Sequence, residues 1–329
     1  MEKVQTDLAN DIDASGDRAR LDEVAKKLVK HRVILAEILK ECTDEFKAID
    51  LQYIIDHCFV GEVRVDQVAV DQDKIDANSS IVGSNTEDAS SNEGVIHFDL
   101  VFDAAVPMSN KIIRMIINVE IQVDSSPGYA LITRAIYYLG RLISRQKGTV
   151  FQHDDYGKLQ KVYSIWICPD PSKKNKNSIA EYGFTQTKVV GEVNEDPANY
   201  DKMKAIIISL NDDGMKEGEN IIRLLSTLLS TTETIENRKQ ILEDEFNIPM
   251  SEEMKKEMND MCNLGYAVEN KGRQEGRQEG ENKMKKDMAG LMNYLLSNGR
   301  SDDALKASTD ENFLNKLLAD FRGGMMVAK

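Results

Sequence analysis

Apolar positions near the start of the chain recur at helical spacing. Leu21, Val24, Leu28, Leu35 and Leu39 predict an amphipathic helix over 19–42, with Asp17 as its cap. A shorter helix from Phe46 to Ile55 follows. Val63, Val65 and Val68 then suggest a brief extended piece, after which Asp-Ala-Asn-Ser-Ser and Thr-Glu-Asp-Ala-Ser-Ser-Asn-Glu-Gly form a polar tract that reads as a loop. Beyond it the period drops to two. Ile96, Phe98, Leu100 and Phe102 alternate with His97, Asp99, Val101 and Asp103, and Ile113, Met115, Ile117, Val119, Ile121 and Val123 alternate with more polar partners.

These two strands predict a hairpin. With Ser109-Asn110 as a two-residue turn, cross-strand partners have positions summing to 219. Asp99 then faces Glu120, His97 faces Gln122, Val101 faces Asn118 and Phe98 faces Ile121. One face is wholly apolar, and the other collects His97, Asp99, Asp103, Arg114, Asn118, Glu120 and Gln122. A slip of one residue would mix the two faces, which burial disfavours.

A helix over 127–147 is signalled by Ser126 as N-cap and Pro127 in the first turn, with an apolar stripe of Ile132, Ile136, Leu139 and Ile143. Arg134, Tyr138, Arg141 and Arg145 follow one another along another edge of this helix. Strands at 162–167 and 205–210 are separated by a loop carrying Lys173, Lys174 and Lys176. From about residue 215 the pattern is helical: Ile221 to Leu229, Ile235 to Glu245, and Ser251 to Leu264 with Met254, Met258 and Met261 as a core stripe. The tandem Arg-Gln-Glu-Gly at 273–280 reads as a linker or a marginal helix, since each interior glycine costs about 1 kcal/mol. The expected organisation is an α/β domain over 1–215, a helical extension over 216–268, the glycine-rich segment over 269–283 and a small helical tail over 284–329.

Composition mostly excludes. Cys42, Cys58, Cys168 and Cys262 stand far apart without a CxxC pair, and His31, His57, His97 and His153 lack ligand spacing, so zinc sites, a disulfide framework and a Ser-His-Asp triad are not expected. The first residues carry no basic and apolar leader, and no apolar run reaches a membrane span. A reducing cytoplasm, without membrane attachment, is the expected setting. The net charge of −14 argues at first against a nucleic-acid partner. The charge is sorted, however: residues 111–190 carry 12 Lys and Arg against 6 Asp and Glu, while each flanking segment is acidic. That basic block is where an anion is expected to meet the chain.

The chemistry concentrates in Glu120-Ile121-Gln122 opposite Asp99. Directly opposed residues have Cβ atoms about 4.5–5.5 Å apart, so the two carboxylates are able to share one hard divalent cation, and the arginine edge of the next helix is placed to hold a phosphodiester. Phe98-Asp99-Leu100-Val101-Phe102, Asn118-Val119-Glu120-Ile121-Gln122, Pro127-Gly128-Tyr129, Thr133-Arg134-Ala135-Ile136-Tyr137-Tyr138 and Val162-Tyr163-Ser164-Ile165-Trp166-Ile167-Cys168 resemble the PD-(D/E)XK nuclease superfamily. Within it they are similar to the Rpn-like branch of PD-(D/E)XK nuclease family transposases, a resemblance that extends over most of residues 20–265. It implies a restriction-endonuclease-like core, a mixed sheet flanked by helices with a helical C-terminal region. It also implies a DNA endonuclease dependent on Mg²⁺ or Mn²⁺, in which Asp99 and Glu120 match the metal-binding acids. Gln122 stands where the name-giving lysine of the superfamily would be; a neutral amide positions water but brings no positive charge. Glu37 is the candidate for an additional acid from the first helix. The competing class is a non-catalytic DNA- or protein-binding regulatory protein that keeps the nuclease fold, and a third is a chain that self-associates as a homo-oligomer through its C-terminal helices.

Overall fold

The computed structural model describes residues 7–65, 87–90, 93–108, 111–122, 128–169, 175–211, 213–217 and 220–323. Val68, the Ser109-Asn110 turn, Ser126, Pro127, Lys173 and Lys174 lie outside them, and the helix expected from 127 begins instead at Leu131, with Ala130 at its N-cap. The chain divides at Tyr266 into two compact units.

In the first unit, α1 (Asp7–Val29), α2 (Arg32–Cys42) and α3 (Leu51–Tyr53) precede β1 (Phe59–Val65), β2 (Glu87–Ser90), β3 (Glu93–His97), β4 (Leu100–Met108) and β5 (Lys111–Ile121). Then come α4 (Leu131–Ser144), β6 (Lys161–Cys168), β7 (Ser178–Gly183), α5 (Pro197–Tyr200), β8 (Met203–Ser209), α6 (Gly214–Glu217), α7 (Asn220–Leu229) and α8 (Ile235–Asp244). The main sheet has the order β1-β4-β5-β6-β8-β7, parallel from β5 through β6 to β8 and antiparallel elsewhere. It is the mixed, helix-flanked sheet expected from the alternation. Val24, Leu28, Leu35, Leu39, Leu224 and Leu228 from α1, α2 and α7 cover one face, where Leu100, Phe102, Met115, Ile117 and Val119 point. Ala135, Tyr138, Leu139 and Leu142 of α4 cover the other, over Val101, Ile116, Val162 and Trp166.

The hairpin register is the one expected from parity: every pair from Leu100–Val119 to Met108–Lys111 sums to 219. Its first strand is not continuous. The backbone bends at Phe98 and Asp99, and the residues before it form a separate ladder in which His97 pairs with Glu87. Part of the polar tract read as loop is therefore a small hairpin. The bend also corrects the position of Phe98, which does not share a face with Leu100 but lies buried under α4, its ring 5.0 Å from that of Tyr138.

Four further elements differ from the periodic reading, the first being the helix expected from Phe46 to Ile55, which is the short α3 followed by a π-helical turn over Ile54–Cys58. The helix expected over 19–42 is two helices, because His31 adopts extended backbone (φ −56°, ψ 128°), and Asp17 lies inside α1 rather than capping it. The break lets Leu28 and Leu35 both reach the sheet. On α4 the buried stripe is Ala135, Tyr138, Leu139 and Leu142, not the expected one: Ile136 is 59% exposed, whereas Tyr138 and Arg141 are buried. The large ring of Trp166 and the polar Asn118 and Glu120 beneath the helix select a partly polar inner face. Strand β7 carries no alternation in its sequence, because it is an edge strand exposed along almost its whole length.

Helix α9 (Glu252–Ser297) begins in the first unit, where Met254, Met258 and Met261 join the core as expected. It continues through the Arg-Gln-Glu-Gly repeat. Ion pairs Glu269–Arg273 and Arg277–Glu281 contribute roughly 0.3–0.5 kcal/mol each, less than the glycines cost, so the continuity rests on packing at the two ends of the helix. In the second unit α9 packs with α10 (Ser301–Ala307) and α11 (Glu311–Arg322) around Leu291, Leu295, Leu317 and Leu318.

Arg238 on α8 is fully buried. It donates to the last carbonyls of α7, to Thr227 O at 2.8 Å and to Leu228 O. A helix end buried in apolar surroundings needs such donors. Replacement of Arg238 by Leu should therefore destabilise the first unit by about 3 kcal/mol, because two buried carbonyls lose their partners. Urea unfolding checks this; a loss below about 1 kcal/mol would mean that water reaches those carbonyls.

Candidate functional site

The β4–β5 ladder ends at Leu100–Val119, and side chains take over from the strand carbonyls. The Asp99 amide donates to Glu120 Oε1 at 3.1 Å, and the Ile121 amide donates to Asp99 Oδ2 at 2.9 Å. Each acid thus binds a backbone amide across the hairpin, just beyond the last pair of the ladder. They sit at the carboxyl end of β5, where open α/β sheets gather their ligands.

Burial sets their electrostatics. Glu120 is 3% exposed; desolvation first, and the neighbouring charge of Asp99 second, hold its carboxyl well above the ordinary value, against the opposing pull of the Asp99 amide and Arg134. Burial likewise raises Asp99, opposed by Lys26 and by the Ile121 amide. Lys26 had no place in the sequence reading. From α1 its ammonium reaches Asp99 Oδ1 and Asp22 Oδ2, both at 2.7 Å, with its side chain 12% exposed. Burial opposes its charge, but the two carboxylates outweigh this and keep it above the usual lysine value. The only sequence signal was Asp22 and Lys26 at i, i+4, which on an isolated helix is an ordinary surface pair.

On the side of α4, Gln122 holds β6 through its amide, donating to Ile167 O at 2.8 Å, and its side-chain Oε1 accepts from Arg134 at 3.4 Å. Arg134 stacks over the Tyr138 and Trp166 rings, with its guanidinium carbon 5.1 and 5.2 Å from their centroids. It also donates to the hydroxyls of Tyr138 (2.7 Å) and Tyr129 (3.0 Å). The Tyr138 hydroxyl, buried and close to the charge of Glu120, is pushed up to about 12. Asn118, one turn of the pleat from Glu120, donates to Ser164 Oγ, as does the Trp166 indole.

Of the residues singled out in the sequence, Asp99, Glu120, Gln122, Arg134 and Tyr138 therefore come together. Arg141 is buried farther along α4, and Arg145 lies near Asp103, whose carboxyl burial raises and Arg145 and Arg114 lower. Glu37 lies on α2; burial and its neighbour Glu41 raise its carboxyl, with Lys40 opposing. The acid that the fold brings beside Asp99 is Asp22, through the shared Lys26.

The donor set fits a hard divalent cation. Asp99 and Glu120 present carboxylate oxygens in a place where burial penalises their charge, and Mg²⁺ characteristically takes one or two carboxylates with water and phosphate completing its shell. Among the described residues no group of three or more His, Cys, Asp or Glu is arranged to hold a metal ion. Among the described residues, too, no helix is long and apolar enough to cross a membrane, and all four cysteines are free.

The raised carboxyl of Glu120 has a consequence for stability. Its folded-state pKa lies above the unfolded one, so its contribution is complete below about pH 4.3 and is lost as pH rises through the folded value. Glu120→Gln, which keeps the acceptor for the Asp99 amide, should raise the unfolding temperature at pH 8 in chelator, and the gain should vanish near pH 4. Thermal unfolding of both proteins across that range measures it.

No curated protein and no solved structure matches this chain. The model of the family described as PD-(D/E)XK nuclease family transposase matches residues 83–294, which contain β4, β5, α4 and β6 together with Asp99, Glu120, Gln122 and Arg134. With well over half of its length so matched, and with a mixed, helix-flanked sheet bearing paired acids at its strand ends, the chain belongs to the PD-(D/E)XK nuclease family transposases.

Proposed function

We propose that this chain is a divalent-metal-dependent DNA endonuclease of the Rpn-like, recombination-promoting branch of its family. The observation that carries this reading is the buried Asp99–Glu120 pair, each carboxylate locked to an amide of the opposing strand. Asp99 and Glu120 would hold Mg²⁺ or Mn²⁺. Bound there, such an ion supplies a Lewis acid for a phosphoryl oxygen and lowers the pKa of a bound water. Gln122 offers a side-chain amide beside the acids to orient the attacking water. Arg134, stacked and half-buried, presents a planar donor fork suited to phosphate, with Tyr138 fixing it. Arg145, just past the end of α4, is the further candidate for phosphate, with Arg141 buried beside it on the helix a weaker one, and Glu37 is the weaker candidate for a further acid.

Part of the basic block is neutralised within the fold. Lys161 is buried between Glu45 and Asp201, and Lys158 and Lys188 pair with Asp155 and Glu192. The remaining field favours weak DNA binding that falls steeply with salt. One observation favours the competing reading, a non-catalytic binding protein: Lys26 already neutralises Asp99.

Supercoiled plasmid in Mg²⁺ or Mn²⁺ separates the two. Wild type is expected to cut, and Glu120→Ala to lose at least about 10³-fold in rate, because the cation site is halved. Equal cutting by the two proteins sinks the assignment, and DNA binding without metal binding or cutting favours the non-catalytic reading.

A further inference from the structure

We propose that Lys26 supplies, from the N-terminal helix, the ammonium that acts on the reacting phosphate in this site, in place of a charge that Gln122 does not carry. This deepens the phosphodiesterase reading and rests on it. Three features of the geometry point to Lys26.

Its ammonium touches Asp99 Oδ1 at 2.7 Å, so it stands beside one of the two acids that would hold the cation. It is gripped equally from behind by Asp22 on its own helix, also at 2.7 Å. Were a divalent cation held by Asp99 and Glu120, the grip of Asp22 would still keep the ammonium at the margin of the site. Lys26 is largely shielded from water, where a fixed charge acts far more strongly than in solvent.

The other charges nearby are committed differently. Arg134 approaches from the opposite layer and is held by two tyrosine hydroxyls and two rings, and Gln122 offers a neutral amide already engaged by Arg134. Lys26 and Arg134 thus flank the carboxylate pair from α1 and α4.

In hydrolysis the water oxygen forms a bond to phosphorus and one P–O ester bond breaks. One proton of the water ends on the released alcohol and the other in solvent. Lys26 makes and breaks no covalent bond in this sequence. It remains an ammonium, opposing the charge that gathers on the phosphoryl oxygens. In the structure the same ammonium is the counter-ion of Asp99, so it would compete with a divalent cation for that carboxylate.

The test uses the full chain as wild type, Lys26→Met, which keeps the aliphatic stem, and Asp22→Asn, which keeps the helix but weakens the grip on the ammonium. Three quantities are read: Mn²⁺ affinity by calorimetry, thermal unfolding, and the cleavage rate of a labelled duplex at saturating Mn²⁺. Lys26→Met is expected to bind Mn²⁺ at least as tightly as wild type, since the competitor for Asp99 is gone, and yet to cut about 10²–10³-fold more slowly. Asp22→Asn is expected to cut about 10-fold more slowly with Mn²⁺ binding retained, and it carries the test if Lys26→Met does not fold. A purely structural lysine would lower unfolding temperature and Mn²⁺ affinity together. That pattern overturns the proposal, as does cutting by Lys26→Met within about threefold of wild type, or by Asp22→Asn at the wild-type rate if it alone folds. Wild type that binds Mn²⁺ but does not cut overturns the phosphodiesterase reading itself, and this proposal with it.

Discussion

Two carboxylates of like charge are held side by side at the end of the β4–β5 hairpin, and the surrounding structure is arranged around the cost of keeping them there. Burial disfavours the charge on each, and the charge of either disfavours that of the other. What opposes this is local. The Asp99 amide binds Glu120, the Ile121 amide binds Asp99, and Lys26 closes the outer oxygen of Asp99. Charge-assisted bonds of this kind are each worth about 1.5–3 kcal/mol. The pair is held, but Glu120 remains a carboxyl with too little positive charge around it. A divalent cation would meet that deficit.

The bend at Asp99 makes the arrangement possible. Continuous alternation would keep Phe98 on the Leu100 face. The bend instead sends Phe98 under α4, against Tyr138, and leaves the Asp99 carboxylate open to a lysine on α1. Local backbone irregularity at a strand end thus converts a two-sided strand into a junction between two helical layers. Arg134 arrives from one layer and Lys26 from the other, and neither position depends on the chemistry of the other.

Charge shows the same gap between chain order and space. The basic excess in residues 111–190 is real in sequence, yet Lys161 is buried against Glu45 and Asp201, and the phenol of Tyr163 donates to the same Glu45 at 2.6 Å. Lys204, from outside that block, clamps Asp44 and Glu181, and Lys204 first and Lys47 second hold the Asp44 carboxyl down at about 2. Acids distant in sequence therefore consume bases that a segmental count assigns to a ligand.

Short-range rules determined a good deal. Period-two alternation and the cost of mixing faces were enough to set the hairpin register from Leu100–Val119 to Met108–Lys111, because such a register is fixed by residues close in sequence. Helical periodicity likewise located α7, α8 and the buried methionines of α9. Only the tertiary structure decided which face of α4 turns inward, since Ile136 and Tyr138 compete for burial and the ring of Trp166, 28 residues beyond Tyr138, selects the second. It alone decided that α1 breaks before α2 and that Lys26, 73 positions before Asp99, stands at the carboxylate pair. Ion pairing across that separation leaves no period in the sequence, because it is created by the packing of a helix on a sheet and by nothing in the chain between them.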